Sequence, residues 1–415
     1  MQSKELNIAK RVDEPGGRVT SEPTMEVVSS ADEIFKLLPE EFKRKVSPAD
    51  FEYANIRDII LDKGRLPFAW IMFPNRPPQR KFLSDDIKVD STHIDSVVSK
   101  IGQFGPDCRA GINGSLHRIS CMKNLQGDIY GLTFRIGRSF TKGTHLIMDL
   151  LLGNNVSLPN TKFTPPHVEN NPTPLNKPFG TLGLPNPAKK SQFVGNSILV
   201  LGGPGSGKTT IIREIVRILA DKFNVCVVDT SNEICGDGKI PHSSVGLARR
   251  MMVPSVEEQG NVMVECLQNH TPDVIVIDEI GRRNEVEAAA TVKQRGVRLI
   301  ASAHGNLETL VKNKQLNGLI GGVETVTLGD MAAKKTNNNS KLAAQRIAPP
   351  IFDVVIELMK GEFNKWRVVT KVEEAVDKIL KGKPYPVQIR SRSDKGEIMW
   401  VKLHTVPLSK QIANQ

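Results

Sequence analysis

Short apolar runs alternate with stretches of helical periodicity between residues 196 and 303. Continuous apolar runs that end on polar residues are typical of strands buried on both faces. We predict such strands over Ser197–Leu201, Val225–Asp229, Val274–Asp278 and Val297–Ala303. The intervening stretches predict helices over Lys208–Lys222, Ser244–Met252, Val256–Asn269 and Asn284–Gln294. Strands that alternate with helices predict an α/β fold with a doubly wound, mostly parallel sheet.

The residues before this region follow a different pattern. Residues 56–140 contain short alternating segments and predict a small α+β unit. Its clearest part is a hairpin, with strands at Leu116–Met122 and Ile129–Ile136 around a turn at residues 124–128. Ser30–Phe42 predicts a short amphipathic helix, because its apolar residues fall on one face.

Eight prolines between residues 158 and 190 exclude regular structure there and predict a linker. Towards the C-terminus the pattern predicts a strand pair, Asp353–Met359 and Lys365–Thr370, and a helix at Val372–Leu380. A polar stretch, Lys334–Lys341, predicts a mobile loop. The predicted division is a disordered N-terminus (1–30), an α+β domain (31–152), a linker (153–192), an α/β domain that holds the doubly wound sheet (193–350) and a C-terminal extension (351–415).

Composition and charge limit the classes of partner. The 415 residues carry a net charge of +11, which favours nucleic acid or an anionic membrane surface; an ordinary basic protein is the equal alternative. Five cysteines without a C-x-x-C pair argue against a disulfide framework and a structural zinc site. No apolar run approaches the roughly 18 residues of a membrane span. The charged N-terminus is not a secretory signal.

Residues 202–209 fit the phosphate-binding pattern G-x-x-x-x-G-K-[ST]. The pattern follows a predicted strand and precedes a predicted helix, which is the context it requires, so a chance match is a weak alternative. Glycines let the backbone turn its N–H groups towards phosphate oxygens, and the helix N-terminus adds partial positive charge. Lys208 is expected on the β- and γ-phosphates, and Thr209 on Mg²⁺. The predicted nucleotide-binding residues are Gly202, Gly203, Pro204, Gly205, Ser206, Gly207, Lys208, Thr209 and Thr210.

Two carboxylates, Asp278 and Glu279, follow the predicted strand at Val274. At the carboxyl end of a parallel strand they would face the ligand crevice. We expect Asp278 to hold Mg²⁺ through water, and Glu279 to polarise the attacking water. The alternative is that both residues cap the following helix.

Asp229 and Glu233 form a second acidic group at the end of the predicted strand Val225–Asp229. Glu233 competes with Glu279 for the role of catalytic base. Helix capping is again the alternative, and a more serious one here.

Other polar residues at strand ends are candidates for sensing phosphate. His304 and Asn306 follow the strand that ends near Ala303, and the alternative for His304 is a solvent-facing or core histidine. The hairpin arginines Arg118, Arg135 and Arg138 are candidates for a finger that reaches a neighbouring subunit, although a basic surface is the simpler interpretation. Among Arg249, Arg250, Arg282 and Arg283 we expect at most one or two functional residues.

Several long segments resemble a family of plastid and cyanobacterial ATPases related to the stage III sporulation AA ATPase. They are Leu116–Ser120, Gly131–Arg138, Val228–His242, Ala248–Met251, Val274–Gly281, Ala303–Asn306 and Gly321–Asp330. The resemblance covers roughly residues 31–382. This family is in turn similar to pilus and type II/IV secretion ATPases.

The resemblance implies a RecA-like, AAA-type P-loop NTPase core preceded by a small α+β domain. It also implies ATP and Mg²⁺ as ligands, a homo-oligomer, specifically a hexamer, and hydrolysis between subunits. In those relatives an acidic box and a histidine box fall on the positions of Asp229, Glu233 and His304. Chloroplast location follows from the same resemblance. Cytoplasm is the alternative, since the acidic residues near the N-terminus are poor for a transit peptide.

The expected function is an ATPase that acts as a ring-forming motor or remodelling enzyme. The alternatives are a regulatory scaffold with little turnover and a nucleic-acid-associated ATPase, although residues 383–415 show no nucleic-acid-binding motif. A small-molecule kinase is a further alternative, disfavoured because no separate lid is visible. The sequence does not name the partner.

Overall fold

A computed structural model describes residues 26–28, 32–44, 55–73, 76–105, 108–141, 143–153, 195–327, 342–392 and 398–406. In the first half the strands are β1 Glu26–Val28, β2 Ile56–Asp62, β3 Phe68–Phe73, β4 Arg76–Phe82, β5 Arg109–Gly111, β6 Arg118–Lys123, β7 Ile129–Arg135 and β8 Ser139–Thr141. The helices there are α1 Asp32–Leu37, α2 Glu40–Arg44, α3 Ser91–Ile101 and α4 Met148–Leu152.

From residue 195 onwards strands and helices alternate. The strands are β9 Ile198–Gly202, β10 Val225–Asp229, β11 Arg249–Met252, β12 Val274–Ile277, β13 Arg298–His304, β14 Val323–Thr327, β15 Leu342–Arg346, β16 Val354–Leu358, β17 Lys365–Val369, β18 Tyr385–Arg392 and β19 Ile398–Val406. The helices are α5 Lys208–Ala220, α6 Gln259–Asn269, α7 Arg283–Gln294, α8 Leu307–Lys312 and α9 Val372–Leu380.

A nine-stranded sheet forms the centre of this second part, in the order β11-β10-β12-β13-β9-β16-β17-β18-β19. The six strands from β11 to β16 pair in parallel, and the last three pair antiparallel. Strand β13 lies between β9 and β12, so the strand before the phosphate loop is not adjacent to the strand before Asp278. The mostly parallel sheet of the predicted α/β fold is therefore confirmed.

Helices cover both faces of the parallel strands, as a continuous apolar strand pattern requires. Residues of α5 and α4 pack on one face with Ile198, Val200 and Val227. Residues of α6, α7, α8 and α9 pack on the other face with Leu199 and Leu201. All five residues of β9 are buried, which fixes the end of this strand and the loop that follows it.

The first part contains a six-stranded antiparallel sheet in the order β4-β3-β2-β7-β6-β5. One face packs under α1, α2 and α3, around Ile59, Leu61, Leu132 and Phe134. The predicted hairpin is confirmed as β6 and β7, which pair antiparallel. Two-stranded sheets join β1 to β8 and β14 to β15.

A buried arginine links the residues of α4 to the central sheet. The Arg298 guanidinium donates hydrogen bonds to the carbonyl oxygens of Leu150, Leu151 and Asn196 at 3.2, 2.8 and 2.8 Å. Burial lowers the pKa of Arg298 to about 10. Among the described helices, none combines the length and apolarity that crossing a membrane requires.

The predicted strands of the parallel sheet, the C-terminal strand pair and the helix at Val372–Leu380 are confirmed to within a few residues. The helix predicted over Ser244–Met252 is wrong. This segment forms a single 3-10 turn, Ser243–Val245, ends it at Gly246 with a φ of +62°, and then runs as edge strand β11. The helix predicted at Ser30–Phe42 is two short helices, because Pro39 lacks the N–H that a continuous helix needs.

The predictions for the N-terminal tail, the proline-rich linker and the loop Lys334–Lys341 lie outside the described residues. The division into domains stays a prediction. Strands β16 and β17, which were assigned to the C-terminal extension, belong to the same sheet as the phosphate-loop strand.

Candidate functional site

The phosphate loop, residues 202–209, joins the end of β9 to the start of α5. Gly205 and Gly207 have φ values of +72° and +93°, a region that L side chains rarely adopt, so glycine is required at both positions. Gly207 is the N-cap of α5 and offers no side-chain cap, so the first N–H groups of the helix remain open to a ligand. The loop therefore has the geometry of an anion site.

Lys208 extends back across the loop. Its Nζ atom donates to the carbonyl oxygen of Gly202 at 3.0 Å and lies 3.5 Å from Nδ1 of His304. Burial lowers the pKa of Lys208, while the carboxylates of Glu279, Asp278 and Glu233 oppose this shift. A buried ammonium at the loop is a suitable partner for phosphate oxygens.

Ser206 supports the same interpretation. Its Oγ atom is buried and has no hydrogen-bond partner among the residues that the structure describes. Buried polar atoms are normally hydrogen-bonded, so an unpaired hydroxyl inside the loop fits a ligand that supplies the partner. The residues present therefore fit a bound phosphate chain.

A carboxylate-rich side of the site lies next to Thr209. The Thr209 hydroxyl donates to Oε2 of Glu233 at 3.2 Å, and the Ser231 hydroxyl donates to Oδ2 of Asp278. Burial and, after it, the nearby charges of Asp229, Glu233 and Glu279 together raise the pKa of Asp278 to about 7, against the hydrogen bond from Ser231.

Crowded carboxylates beside a phosphate loop fit a divalent cation. Within the described ranges, no group of three or more His, Cys, Asp or Glu residues has the arrangement of a metal site. Mg²⁺ is usually held by one or two protein groups together with substrate phosphates and water. Thr209 and Asp278 are suited to such a site, which is incomplete without nucleotide.

Glu279 and His304 form a pair at the ends of neighbouring strands β12 and β13. The Nε2 atom of His304 lies 3.0 Å from Oε1 of Glu279, and both side chains are about half exposed. Gln259 holds the backbone of this turn by donating to the Glu279 carbonyl oxygen at 2.7 Å. His304 therefore stands between Lys208 and Glu279, on the side of the loop that faces solvent.

The acidic segment, residues 229–242, runs from the end of β10 along the phosphate loop. Asp229 is fully buried and accepts from the backbone N–H of Cys235 at 2.7 Å and, more weakly, from that of Ile234 at 3.4 Å. Asp229 thus shapes the segment and is not exposed to a ligand. Arg213 of α5 donates to the carbonyl oxygens of Glu233 and Ile234, which positions the Glu233 side chain.

Asn306 also has a structural role. Its side chain accepts from the N–H of Thr309 at 2.9 Å and caps α8. Of the two predicted phosphate sensors on this strand, only His304 lies beside Lys208.

The antiparallel sheet contacts the acidic segment directly. Arg118 of β6 places Nη1 4.0 Å from Oε1 of Glu233. The Gly236 backbone lies against the Ser115 carbonyl oxygen so closely that a Cβ atom would overlap it, and the N–H of Lys239 donates to Oδ1 of Asn113 at 2.6 Å. Residues 111–118 therefore support the acidic segment from outside the central sheet.

Some of the other candidate arginines hold backbone in place, and others form ion pairs nearer the surface. Arg138 donates to the Ile56 carbonyl oxygen at 2.6 Å, and Arg250 to that of Gly236 at 2.5 Å, so both brace backbone. The Arg135 side chain is 59% exposed and lies 3.5 Å from Asp58, which leaves it the most accessible of the three hairpin arginines. Arg282 pairs with Glu257 and Arg283 with Glu287 at the surface.

Comparison with known proteins places the chain in a family. It is 41% identical over 316 residues to the protein ycf45 of Cyanidium caldarium, an alignment that covers 75% of this chain and 81% of that protein. The chain belongs to the ycf45 family. Residues 186–326 also match the family model described as Sporulation stage III, protein AA. The resemblance inferred from the sequence is therefore confirmed.

Another relative is the Protein SEEDLING PLASTID DEVELOPMENT 1 of Arabidopsis thaliana. It is 36% identical over 392 residues, which cover 94% of this chain and 49% of that protein. The chain spans about half the length of the first curated relatives it matches, at 58% and 49%.

Among solved structures, the ATPase DotB of Legionella pneumophila is similar at a TM-score of 0.39 with 12% identity, over 86% of this chain and 78% of that one. The strand order and the phosphate loop of this ycf45-family chain carry the fold assignment by themselves. Both are features of a P-loop NTPase fold.

Sequence reasoning located most of the candidate site but missed the support from β6. Lys208, Thr209, Glu233, Asp278, Glu279 and His304 come together as predicted from strand ends. The sequence offers Arg118 as part of a basic surface or as a finger towards another subunit, whereas its partner Glu233 is in the same chain. No spacing in the sequence indicates that contact, because it joins residues more than a hundred positions apart.

Proposed function

We propose that this chain binds ATP with Mg²⁺ at the phosphate loop and hydrolyses the nucleotide. The observation that carries the proposal is one cluster at the carboxyl edge of the parallel sheet. It contains a buried lysine, a threonine hydroxyl, a buried aspartate and a glutamate–histidine pair. A cleft at this edge is where open α/β sheets bind their ligands.

The roles follow from position. The open N–H groups of the loop and of Thr210 hold phosphate oxygens, and Lys208 neutralises their charge. Thr209 and Asp278 would hold Mg²⁺, which when bound neutralises charge that develops on the phosphates. Ser206 gives its unpaired hydroxyl to the same phosphate chain.

Glu279 is our candidate for the base that accepts a proton from the attacking water. It lies beside His304, which itself lies beside Lys208, so it stands on the side of the loop where the terminal phosphate is expected. Glu233 is the alternative. Its hydrogen bond from Thr209 and its contact with Arg118 favour a role next to the metal instead.

Three variants test this proposal. Lys208→Ala should abolish ATP binding and hydrolysis together, because it removes the buried charge that meets the phosphates. Glu279→Gln should bind ATP within a few-fold of the wild type while hydrolysis falls by about 10²-fold or more. Glu233→Gln should reduce hydrolysis less. If the wild type turns over ATP no faster than Lys208→Ala, the proposal of hydrolysis is refuted. That result would favour the alternative of a regulatory scaffold with little turnover.

We further propose that the active form is a homo-oligomeric ring in which Arg135 reaches the nucleotide of a neighbouring subunit. The exposure of Arg135 supports this, and the hexamer is taken from the resemblance to secretion ATPases. Mass measurement with and without ATP tests the assembly. A monomer under every nucleotide condition, or unchanged turnover per subunit in Arg135→Ala together with Arg138→Ala, would exclude the arginine finger.

We propose the chloroplast as the compartment, since one relative is named for plastid development. Expression of the full coding sequence with a fluorescent tag would test this. The partner on which the proposed ATPase acts is expected among the molecules that co-purify with the Glu279→Gln variant. Enrichment of nucleic acid in that fraction would favour the nucleic-acid-associated alternative that the net charge of +11 allows.

A further inference from the structure

The two strands that flank β9 make the two sides of the phosphate loop chemically different. In register, His304 of β13 is opposite Gly202 on one side, and Leu358 of β16 is opposite Gly202 on the other. The β13 side carries the charged cluster of Lys208, Glu279 and Asp278. The β16 side continues into a tight turn, residues 359–364, that carries an exposed aromatic residue.

That residue is Phe363, and its ring lies against the loop. A Cβ atom built on Gly207 would be 3.5 and 3.6 Å from two carbon atoms of the Phe363 ring. The side chain is nevertheless 54% exposed. One edge of the ring therefore lies near the N-cap of α5, and about half of the residue is exposed to solvent.

The turn holds Phe363 in this position through several backbone contacts. The N–H groups of Glu362 and Lys365 donate to the carbonyl oxygens of Met359 and Glu362, each at 3.1 Å. The buried Trp366 donates from its indole nitrogen to the Phe363 carbonyl oxygen at 3.0 Å. The N–H of Arg392 donates to the Asn364 carbonyl oxygen at 2.9 Å, which ties the turn to β18. An aromatic ring on such a turn is presented to solvent at a fixed place.

A nucleoside triphosphate has a charged end and a flat, largely apolar end. With the terminal phosphates on the side of Lys208 and Glu279, the base leaves the loop on the other side, where Phe363 lies. We propose that Phe363 packs against the base of the bound nucleotide. This inference rests on the proposed function and adds its nucleoside-binding contact.

Stacking on an aromatic face tolerates every base, because each base has a π face. Phe363 should therefore raise the affinity for a nucleoside triphosphate over bare triphosphate, without selecting adenine over guanine. Loss of one base–aromatic contact weakens binding by about tenfold.

The test compares ligands that share the phosphates but differ in the base. Dissociation constants of the full chain are measured with Mg²⁺ for ATP, GTP and inorganic tripolyphosphate. Phe363→Ala should raise the dissociation constants of ATP and GTP by about tenfold each, and should change that of tripolyphosphate by less than about twofold. Phe363→Trp should retain the affinity for both nucleotides. Phe82→Ala is the matched control, because Phe82 is a 46% exposed phenylalanine on β4, in the other sheet.

A second measurement reports contact directly. In Phe363→Trp, ATP should change the tryptophan emission beyond the change in the wild type, and tripolyphosphate should not. Equal weakening of ATP and tripolyphosphate by Phe363→Ala would overturn the inference, since it would mean a distorted loop. Unchanged ATP affinity in Phe363→Ala, together with silent emission in Phe363→Trp, would overturn it too. If Lys208→Ala binds ATP as tightly as the wild type does, the proposed function itself fails. That result is distinguishable from the two results above, which concern Phe363 alone.

Discussion

The phosphate loop and the acidic segment lie side by side, but they are held in place by different parts of the chain. The loop is formed by the end of β9 and the start of α5, and its special backbone angles belong to its own glycines. The acidic segment is braced by Arg213 of α5, Arg250 of β11 and residues 111–118 of the antiparallel sheet.

The difference separates two steps of the proposed activity. Phosphate binding depends on a short local segment. The position of Glu233 depends in addition on how the antiparallel sheet, which carries Arg118, docks on the central sheet. A movement of that sheet would therefore alter hydrolysis while the loop continues to bind nucleotide, which is a route by which partner binding and ATP turnover become coupled.

The largest expected effect comes from Gly236→Ala. This glycine has a φ of +89°, and an added Cβ would overlap the Ser115 carbonyl oxygen, so the acidic segment must move away from β6. We expect a loss of about 2–5 kcal/mol in the free energy of unfolding, measured by urea denaturation. ATP hydrolysis should fall with it, while ATP affinity stays within about threefold because the loop is untouched.

Gly205→Ala is the matched control in the phosphate loop. Gly205 has a φ of +72° and nothing within 4 Å of an added Cβ, so only backbone strain of about 1–2 kcal/mol is expected. Compared with Gly236→Ala, Gly205→Ala should lose less free energy of unfolding and more ATP affinity. If the two variants behave alike, the loop and the acidic segment are not supported separately.

A smaller effect is expected from Arg118→Gln. The guanidinium lies 4.0 Å from the Glu233 carboxylate and is largely buried, so its loss leaves the hydrogen bond from Thr209 to hold the Glu233 side chain. We expect the hydrolysis rate to fall about tenfold with ATP affinity nearly unchanged, which is about 1.4 kcal/mol in the activation free energy.

A double-mutant cycle with Glu233→Gln separates this role from contact with phosphate. If Arg118 acts by positioning Glu233, Arg118→Gln should add little to Glu233→Gln. Full additivity, or a large loss of ATP affinity in Arg118→Gln alone, would assign Arg118 to the nucleotide instead. Arg80→Gln serves as the control, since Arg80 lies on β4 of the same sheet and its guanidinium contacts the rings of Phe68 and Trp70.

These variants also mark where prediction from the sequence succeeds. The phosphate-loop pattern predicts Lys208. Asp278, Glu279 and His304 are predicted because each follows an apolar strand, and parallel strands place their carboxyl ends at one edge. Topology alone then brings the residues together. The same rule located Glu233 next to the loop.

The contacts that sequence reasoning missed depend on tertiary docking. Phe363 lies beside the phosphate loop only because β16 pairs with β9. Gly236 requires the absence of a side chain because the Ser115 carbonyl oxygen lies against it. The wrong helix at Ser244–Met252 has the same origin. Its residues have helical spacing, but pairing of Arg249–Met252 with β10 at the sheet edge outweighs a weak local preference.

The smallest expected effect is a pH dependence at the junction of the acidic segment with the antiparallel sheet. Burial and, after it, the charges of Arg213 and His117 together lower the pKa of His242 from 6.5 to about 4. The folded protein therefore keeps His242 neutral where the unfolded chain binds a proton. The stability that this group contributes is complete above pH 6.5 and is lost as the pH falls towards 4.

His242→Asn removes this titration. In the wild type, Nδ1 of His242 accepts a hydrogen bond from the Ser244 N–H at 3.0 Å. The side-chain oxygen of asparagine can accept the same hydrogen bond. The free energy of unfolding, measured by urea denaturation at pH 7 and pH 5, should fall less in the variant than in the wild type. The same fall in both would mean that His242 is accessible to protons in the folded chain.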